Sequence, residues 1–312
     1  MSPAPTACVY GAPPLELVDC PPDAVQVSPL VPGSADLATV ATDSLSAVVM
    51  AAPPGTVERR YAVALALKAL RPGGSLTVLA PKDKGGSRLG KELAAFGCQV
   101  DETSRRHQRI CACAKGDQLA GLDAAITAGG PARLPELGLW SQPGVFSWDR
   151  LDPGTTQLLA ALPPLAGRGA DLGCGIGVIA IAVLKSPSVT ALDLVDIDRR
   201  AVHAAGRNVQ DPRARLHWAD VRSAQITGEI AAETVGELDF VVCNPPFHDG
   251  GAEDRALGQA FIRRARAMLK TGGALWMVAN RHLPYEAVLD ESFKSVARRA
   301  ETGGFKVYEA RR

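Results

Sequence analysis

The chain lacks an excess of charge of either sign. Its 312 residues carry 34 Lys/Arg and 33 Asp/Glu, a formal net charge of +1. The balance holds along the chain: residues 1–150 contain 14 basic and 14 acidic side chains, and residues 151–312 contain 20 and 19. A protein that is basic throughout is thereby excluded, so any contact with nucleic acid must rest on local patches. Long apolar runs are missing too. Nothing approaches the roughly 20 residues needed to span a bilayer, and Met1–Gly11 has no basic segment followed by an apolar core, so neither a membrane partner nor a leader is expected. The seven cysteines are odd in number and form no C-x-x-C pair. That argues against a disulfide framework and against a zinc site. A cytoplasmic protein without a metal is the expectation, with a monomer as the default.

What is present is organised around Leu238–Gly250, Leu-Asp-Phe-Val-Val-Cys-Asn-Pro-Pro-Phe-His-Asp-Gly. Its apolar start reads as a buried strand. Pro245 and Pro246 cannot donate to a sheet ladder, so the strand must end before them. Past that end stand the amide of Asn244, the rigid backbone carbonyls of the prolines and the ring of Phe247. These groups suit the binding of a planar amine.

Upstream, Gly169–Ala180 turns from a short strand into an apolar helix through Asp171, Gly173, Gly175 and Gly177. The spacing is G-x-G-x-G, and Val178 stands where a dinucleotide fingerprint G-x-G-x-x-G needs its third glycine. A carboxylate two residues before the first glycine would repel a pyrophosphate and favour an ammonium group. Val189–Asp198 is the next strand. Asp196, 19 residues after Gly177, is placed to accept two ribose hydroxyls. Ile197 would then lie on an adenine face, while Asp193 lies mid-strand and Asp198 is a candidate helix cap. Arg215–Val221 is a third strand; Asp220 is a candidate acceptor for an adenine amine, with the Val221 backbone completing the edge.

The first half carries a fainter version of the second. Leu70–Leu76 (Leu-Arg-Pro-Gly-Gly-Ser-Leu) aligns with Leu269–Leu275 (Leu-Lys-Thr-Gly-Gly-Ala-Leu) at an offset of 199. A Pro-Pro pair follows the preceding strand in each. The residue before it is Ala52 in the first copy and Asn244 in the second, and the first copy has no Gly-x-Gly-x-Gly. Short strand-like pieces such as Leu15–Val18 precede it. Ser87–Ala95 reads as a short helix, with late strands at Gln99–Asp101 and Arg109–Ala114. Residues 128–144 are rich in Gly and Pro and read as a linker. The domains are drawn as 1–130, a degenerate copy; 131–142, a linker; and 143–312, the catalytic domain. Thr155 or Thr156 is the expected cap of a helix over Gln157–Leu162.

These parts resemble the class I S-adenosylmethionine-dependent methyltransferases, in motif order and spacing. The closer resemblance is to the bacterial ribosomal RNA guanine-N2 methyltransferases, the kinds called methyltransferase C of the small ribosomal subunit and methyltransferase G of the large one. It is carried by Pro143-Gly-Val-Phe146, Leu151-Asp-x-Gly-Thr155, Asn244–Gly250, Val278-Ala-Asn280, Leu283-Pro-Tyr285 and Phe305-Lys-Val-Tyr308. The resemblance implies an α/β fold, a Rossmann-like seven-stranded domain with a final antiparallel hairpin over residues 295–310, preceded by a degenerate copy. It also implies S-adenosyl-L-methionine as cofactor and ribosomal RNA or a ribosomal subunit as partner. Asn244 and the Pro245 carbonyl would accept the two N–H groups of the amine, and Phe247 would stack on the base. Pro246 and His248 would adjoin the substrate. No strong general base is needed, because the methylated cationic amine is acidic enough to lose its proton to water. Carbon-5 pyrimidine methylation, which wants a Pro-Cys nucleophile, finds none; Cys243 reads as a packed thiol.

Arg105, Arg106, His107 and Arg109 form one basic cluster, and Lys82, Lys84 and Arg88 a second. Each is either an RNA grip or solvated surface. Arg263, Arg264 and Arg266 read as the exposed face of one helix. Two other functions fit the loop: protein glutamine N5-methylation on a release factor, which typically has Tyr at the position of Phe247, and a non-catalytic RNA-binding or ribosome-assembly factor.

Overall fold

The computed structural model describes residues 6–223, 236–246, 248–249, 252–253 and 255–312. Phe247 and Gly250 lie outside them. The chain divides into two compact units, 1–130 and 131–312.

The second unit has the seven-stranded order β11-β10-β9-β12-β15-β17-β16. Its parallel strands are β9 (Gly167–Leu172), β10 (Val189–Asp196), β11 (Ala214–Trp218), β12 (Leu238–Cys243) and β15 (Leu269–Asn280). The hairpin β16 (Ser295–Thr302) and β17 (Phe305–Arg311) adds antiparallel to β15. Helices cover both faces, as a parallel sheet requires. Val241 and Cys243 pack with Phe261, Ile262 and Ala265 of Arg255–Met268 and with Val288 and Leu289 of Glu286–Ser292. Phe240 and Val242 point the other way, toward Leu158, Ile179 and Ala205 of three further helices. Period-two alternation along β12 therefore feeds two cores at once.

The first unit repeats this plan without the outermost strand. Its order is β2-β1-β3-β4-β6-β5: β1 (Ala7–Tyr10), β2 (Val25–Gln26), β3 (Leu45–Ala51), β4 (Leu70–Pro81), and the hairpin β5 (Asp101–Arg105) and β6 (Gln108–Ala114). Helix Thr56–Ala69 and β4 both match helix Arg255–Met268 and β15 at the offset of 199. The ladders sharpen the alignment. Met50 pairs with Val78 as Cys243 pairs with Met277, so Ala51, not Ala52, occupies the position of Asn244. The alanine survives either reading, but the Pro-Pro pair sits one residue later.

Some expected elements differ. Leu15–Val18 is turn, not strand. The fifth strand is Asp101–Arg105 rather than Gln99–Asp101; it is polar and exposed throughout, which hides it from pattern reading and suits an unpaired edge. Residues 131–142 contain the short strands β7 (Ala132–Arg133) and β8 (Trp140–Ser141), which pair as a hairpin. Asn208 holds this hairpin to the second unit, accepting from the Trp140 N–H (2.7 Å) and donating to the Trp140 and Ile176 carbonyls (2.9 Å each). Among the described residues no helix is long and apolar enough to cross a membrane, and no His, Cys, Asp and Glu cluster could hold a metal ion.

Candidate functional site

Asp171 is the last residue but one of β9, and the chain then turns through Gly173, Gly175 and Gly177 at φ of 72°, 53° and 89°. All three lie in the region that disfavours side chains. At Gly177 a Cβ would also stand 2.7 Å from Val209 Cγ2. The Gly173 N–H donates to the Val195 carbonyl at 2.8 Å, tying the turn to β10. Asp171 is fully buried, and neither carboxylate oxygen has a hydrogen-bond partner among the described residues. Burial pushes its carboxyl up to about 8, and the Asp196 charge adds to the rise. A buried carboxyl with two open acceptors fits a cationic ligand group, whose arrival would restore the ionised form.

Asp196 ends β10. Its Oδ2 accepts from the Gly175 N–H (2.8 Å) and its Oδ1 from the Asp198 N–H (2.9 Å). It is half-buried by surface area, yet its carboxyl is packed closely enough for desolvation to dominate and push it up to about 6, against the lowering effect of those two N–H groups. Each oxygen retains a lone pair for a hydroxyl donor. Asp193 is no solvated strand-end acid: it is buried and pairs with Arg215 (3.0 Å) and His217 (2.9 Å). Asp198 caps the helix Arg199–Asn208 as expected, accepting from the Arg200 N–H. Ile197 is half-buried, and its carbonyl accepts from Trp218 Nε1 at 2.8 Å. Asp220 lies in the turn after β11, not in the strand, and both its oxygens accept from Arg222 Nε (3.0 and 3.1 Å). A partly exposed pair of this kind is worth at most about 1 kcal/mol, so a ligand amine can displace Arg222 at little cost. The Val221 carbonyl accepts from Arg264 Nε at 3.0 Å, and Arg266 Nε donates to the Ser292 carbonyl at 2.7 Å. Of the three arginines read as exposed, only Arg263 is so.

Asn244 follows β12 directly and is half-buried. Its Nδ2 donates to Asp152 Oδ2 at 2.8 Å and to Thr155 Oγ1 at 3.0 Å. A carboxylate can only accept, so the amide cannot be flipped. Both Nδ2 protons are thus committed, and no described residue donates to Oδ1. The same Asp152 Oδ2 accepts from the Thr155 N–H at 2.7 Å and is the cap of helix Pro153–Ala161. The cap is therefore Asp152, not Thr155 or Thr156. Motif reading left Asp152 without a role and gave Thr155 only that of a cap. An Asp before Pro-Gly-Thr carried the signal, since Asp is a strong N-cap with proline at the first helical position.

One cleft gathers Gly173, Gly175, Asp152, Thr155 and Asn244, with Phe146, Ser147, Arg150 and Leu151 on its wall. Asp171 and Asp196 adjoin it through the glycine turn. Asp220 and Val221 do not line it. Pro245 is buried and Pro246 half-buried beside Asn244; His248 begins the short strand His248–Asp249. Cys243 is fully buried and its thiol is pushed far up by burial, as packing requires.

The corresponding edge of the first unit has been rebuilt. Ladder register puts Val9 at the position of Asp171 and Ser28 at that of Asp196. Gly11 keeps the turn at φ 74°, but the Gln26 amide fills it, accepting from the Gly11 N–H (3.1 Å) and donating to the Gly11 carbonyl (2.8 Å). Arg59, fully buried, donates to the carbonyls of Pro53 (3.0 Å) and Pro54 (2.8 Å) and forms a two-bond pair with Glu92 at 2.7 Å. The proline carbonyls of this copy are already occupied. Arg105 and Arg106 are exposed on the β5–β6 hairpin of this unit, and Arg109 pairs with Glu102 at 3.0 Å.

The family described as Methyltransferase small domain matches residues 136–309, more than half of the chain, and the chain belongs to that family. Two relatives are the Ribosomal RNA small subunit methyltransferase C of Shewanella loihica and that of Shewanella halifaxensis. The first is 32% identical over 277 residues, 87% of this chain and 78% of the relative; the second is 33% identical over 273 residues, 85% and 77%. At that identity and coverage the chain belongs to the ribosomal RNA small subunit methyltransferase C family. A solved T. thermophilus 16S rRNA N2 methyltransferase, in complex with AdoMet and guanosine, shares the fold: TM-score 0.77, 24% identity, covering 100% of this chain and 89% of that one.

Proposed function

We propose that the protein transfers the methyl group of S-adenosyl-L-methionine to the exocyclic N2 amine of a guanine in small-subunit ribosomal RNA, in the cytoplasm. The observation that carries this reading is the fixed amide of Asn244, whose Nδ2 is held by Asp152 and Thr155, with no donor to Oδ1 among the described residues. The names of the relatives supply the substrate class.

The cofactor supplies an electrophilic methyl on a sulfonium. Asp171 binds the ammonium of its amino-acid end, Asp196 the ribose hydroxyls, and Ile197, Asp220 and Val221 the adenine. Gly173 and Gly175 let the backbone approach. The exocyclic amine is a poor nucleophile because its lone pair is delocalised into the ring. Asn244 Oδ1 would accept one N–H and the Pro245 carbonyl the other, which draws the nitrogen toward a pyramidal geometry and turns its lone pair toward the sulfonium methyl. The bound cofactor would supply the methyl by direct displacement, sulfur keeping the electron pair of the broken S–C bond, and the methylated cationic amine would give its extra proton to water. Catalysis is then positioning and electrostatics. The base must be extruded from any stem and stacks on Phe247, with Pro246 and His248 beside it.

The test is incubation with tritiated S-adenosylmethionine and 30S or 50S particles, followed by nucleoside analysis. Label in N2-methylguanosine from 30S is the expected result. Absence of labelled guanosine from either particle would sink the reading.

A further inference from the structure

Three motifs of the second unit do not line the cleft: Val278-Ala-Asn280, Leu283-Pro-Tyr285 and Phe305-Lys-Val-Tyr308. The fold brings them together. Asn280 pairs with Phe305 across the ladder and Val278 with Val307, and the Arg281 N–H donates to the Gly304 carbonyl at 2.8 Å. Alternation along β17 divides the last motif between two faces. Lys306 Nζ and Tyr308 Oη both donate to Glu286 Oε1, on the residue that follows Leu283–Tyr285 and begins the helix Glu286–Ser292. Phe305 and Val307 belong to the opposite face and pack in one cluster with Val278 and Leu158. The hairpin is thus pinned from one face while its Phe305 ring serves the other.

What the ring meets there is Gly154, in the first turn of helix Pro153–Ala161, which packs against β15, β16 and β17. A Cβ at Gly154 would stand 2.9 and 3.0 Å from Phe305 Cε1 and Cδ1, and 3.0 Å from Asp152 Oδ2. The ordinary separation of such atoms is about 3.5–4.0 Å. Gly154 does not have a positive φ, so this glycine serves close approach and not an unusual backbone conformation. The oxygen it adjoins is the one that holds the site: Asp152 Oδ2 accepts from Asn244 Nδ2 at 2.8 Å and from the Thr155 N–H at 2.7 Å. Ring, glycine, carboxylate and amide form one continuous series of contacts from the terminal hairpin to Asn244.

We propose that Phe305 is a positioning residue for methyl transfer: seated on Gly154, its ring fixes where Asp152 Oδ2 stands and so how the Asn244 amide is presented. The proposal rests on Asn244 being the acceptor for the substrate amine. The helix has only nine residues, and the N–H groups of a helix's first turn have no partner within the helix to hold them. The stiff ring supplies the stop. A misplacement of about 1 Å can cost on the order of a hundredfold in rate, so a contact made away from the reacting atoms is felt in turnover.

The experiment measures kcat and KM of the full-length protein with 30S particles and tritiated S-adenosylmethionine. The variants are Gly154→Ala, Phe305→Val, the two combined, and each on an Asp152→Ser background. Alanine suits a helix and valine a strand, so the fold is kept; valine also lacks both ring atoms that meet Gly154. Gly154→Ala is expected to lower kcat about tenfold and Phe305→Val about threefold, with the KM for 30S and S-adenosylhomocysteine affinity unchanged. The combined variant should regain most of the loss of Gly154→Ala, and on Asp152→Ser neither change should slow turnover further. Losses that multiply in the combined variant, or that persist on Asp152→Ser, overturn the proposal. So does a lower Tm with kcat intact, or a fall in S-adenosylhomocysteine affinity in place of kcat. A second readout needs no turnover. The side-chain NH2 resonances of Asn244, identified by their disappearance in Asn244→Ala, should move in Gly154→Ala and return toward wild type in the combined variant. Resonances that stay in place overturn the proposal too. If they move and return while wild-type protein labels no guanosine, the positioning contact stands and the proposed reaction falls.

Discussion

At the scale of single residues, Asn244 is the group whose loss is most informative. Replacing it with Ala removes one acceptor, worth about 1–3 kcal/mol, so kcat should fall roughly ten- to a hundredfold while S-adenosylhomocysteine affinity is spared. Loss of that affinity in calorimetry would mean the role is misassigned. Asp152→Ser separates two duties of one carboxylate. Serine still caps the helix, but its shorter side chain no longer reaches Nδ2 of Asn244. The expected outcome is a Tm near wild type with kcat reduced and the KM for RNA little changed; a fall in Tm alone would make Asp152 a cap and nothing more. Asp171 and Asp196 set a pH dependence. Their folded values, about 8 and about 6, are raised above the ordinary carboxylate value. For the ligand-free protein, this contribution to stability is full below about pH 4 and is lost as pH rises through 6 and 8. A ligand ammonium favours the ionised acids, so S-adenosylhomocysteine affinity should improve from pH 6 to above 8. Asp171→Asn should flatten the upper part of that profile in calorimetry.

At the scale of elements, the proline turn after a strand serves opposite ends in the two units. In the second, the Asn244 amide that precedes it is held by Asp152 and Thr155, at the start of a helix capped by the same carboxylate. In the first, the guanidinium of Arg59 consumes its carbonyls and Glu92 balances the charge. Arg59 is fully buried and its partner nearly so. Breaking such a pair leaves an uncompensated charge and costs about 3–5 kcal/mol. Glu92→Gln should therefore lower the denaturation midpoint of the first unit while S-adenosylhomocysteine binding, which belongs to the second, is unmoved. Urea titration followed by ligand binding checks both halves of that statement.

At the scale of the whole molecule, the chain is a duplication in which one copy keeps the chemistry and the other has closed its cleft. The offset of 199 covers a helix and the strand after it. It fails before them, where four residues separate strand from helix in the first unit (52–55) and eleven in the second (244–254). The extra length carries Phe247 and His248. Removing residues 1–130 should therefore weaken binding to 16S rRNA more than binding to S-adenosylhomocysteine. Equal loss of both would assign the first unit a purely structural part.

Local chemistry in the sequence determined the strand that ends at Asn244, the glycine turn with its acid, the doubled plan and the final hairpin. Each depends on residues close in the chain: proline ends a ladder, glycine permits positive φ, and alternation marks a strand buried on both faces. Tertiary structure decided what depends on residues far apart. Asp152 lies 92 positions from Asn244, and only packing of the first helix of the second unit against β15 and β17 brings its carboxylate to the amide. The one-residue shift of the Pro-Pro pair is set by the ladder with β4, and the polar edge strand Asp101–Arg105 has no pattern to read because neither of its faces is buried. The stretch Leu238–Gly250 named the acceptor; the fold committed its Nδ2 to Asp152 and Thr155 and, among the described residues, set no donor on its Oδ1.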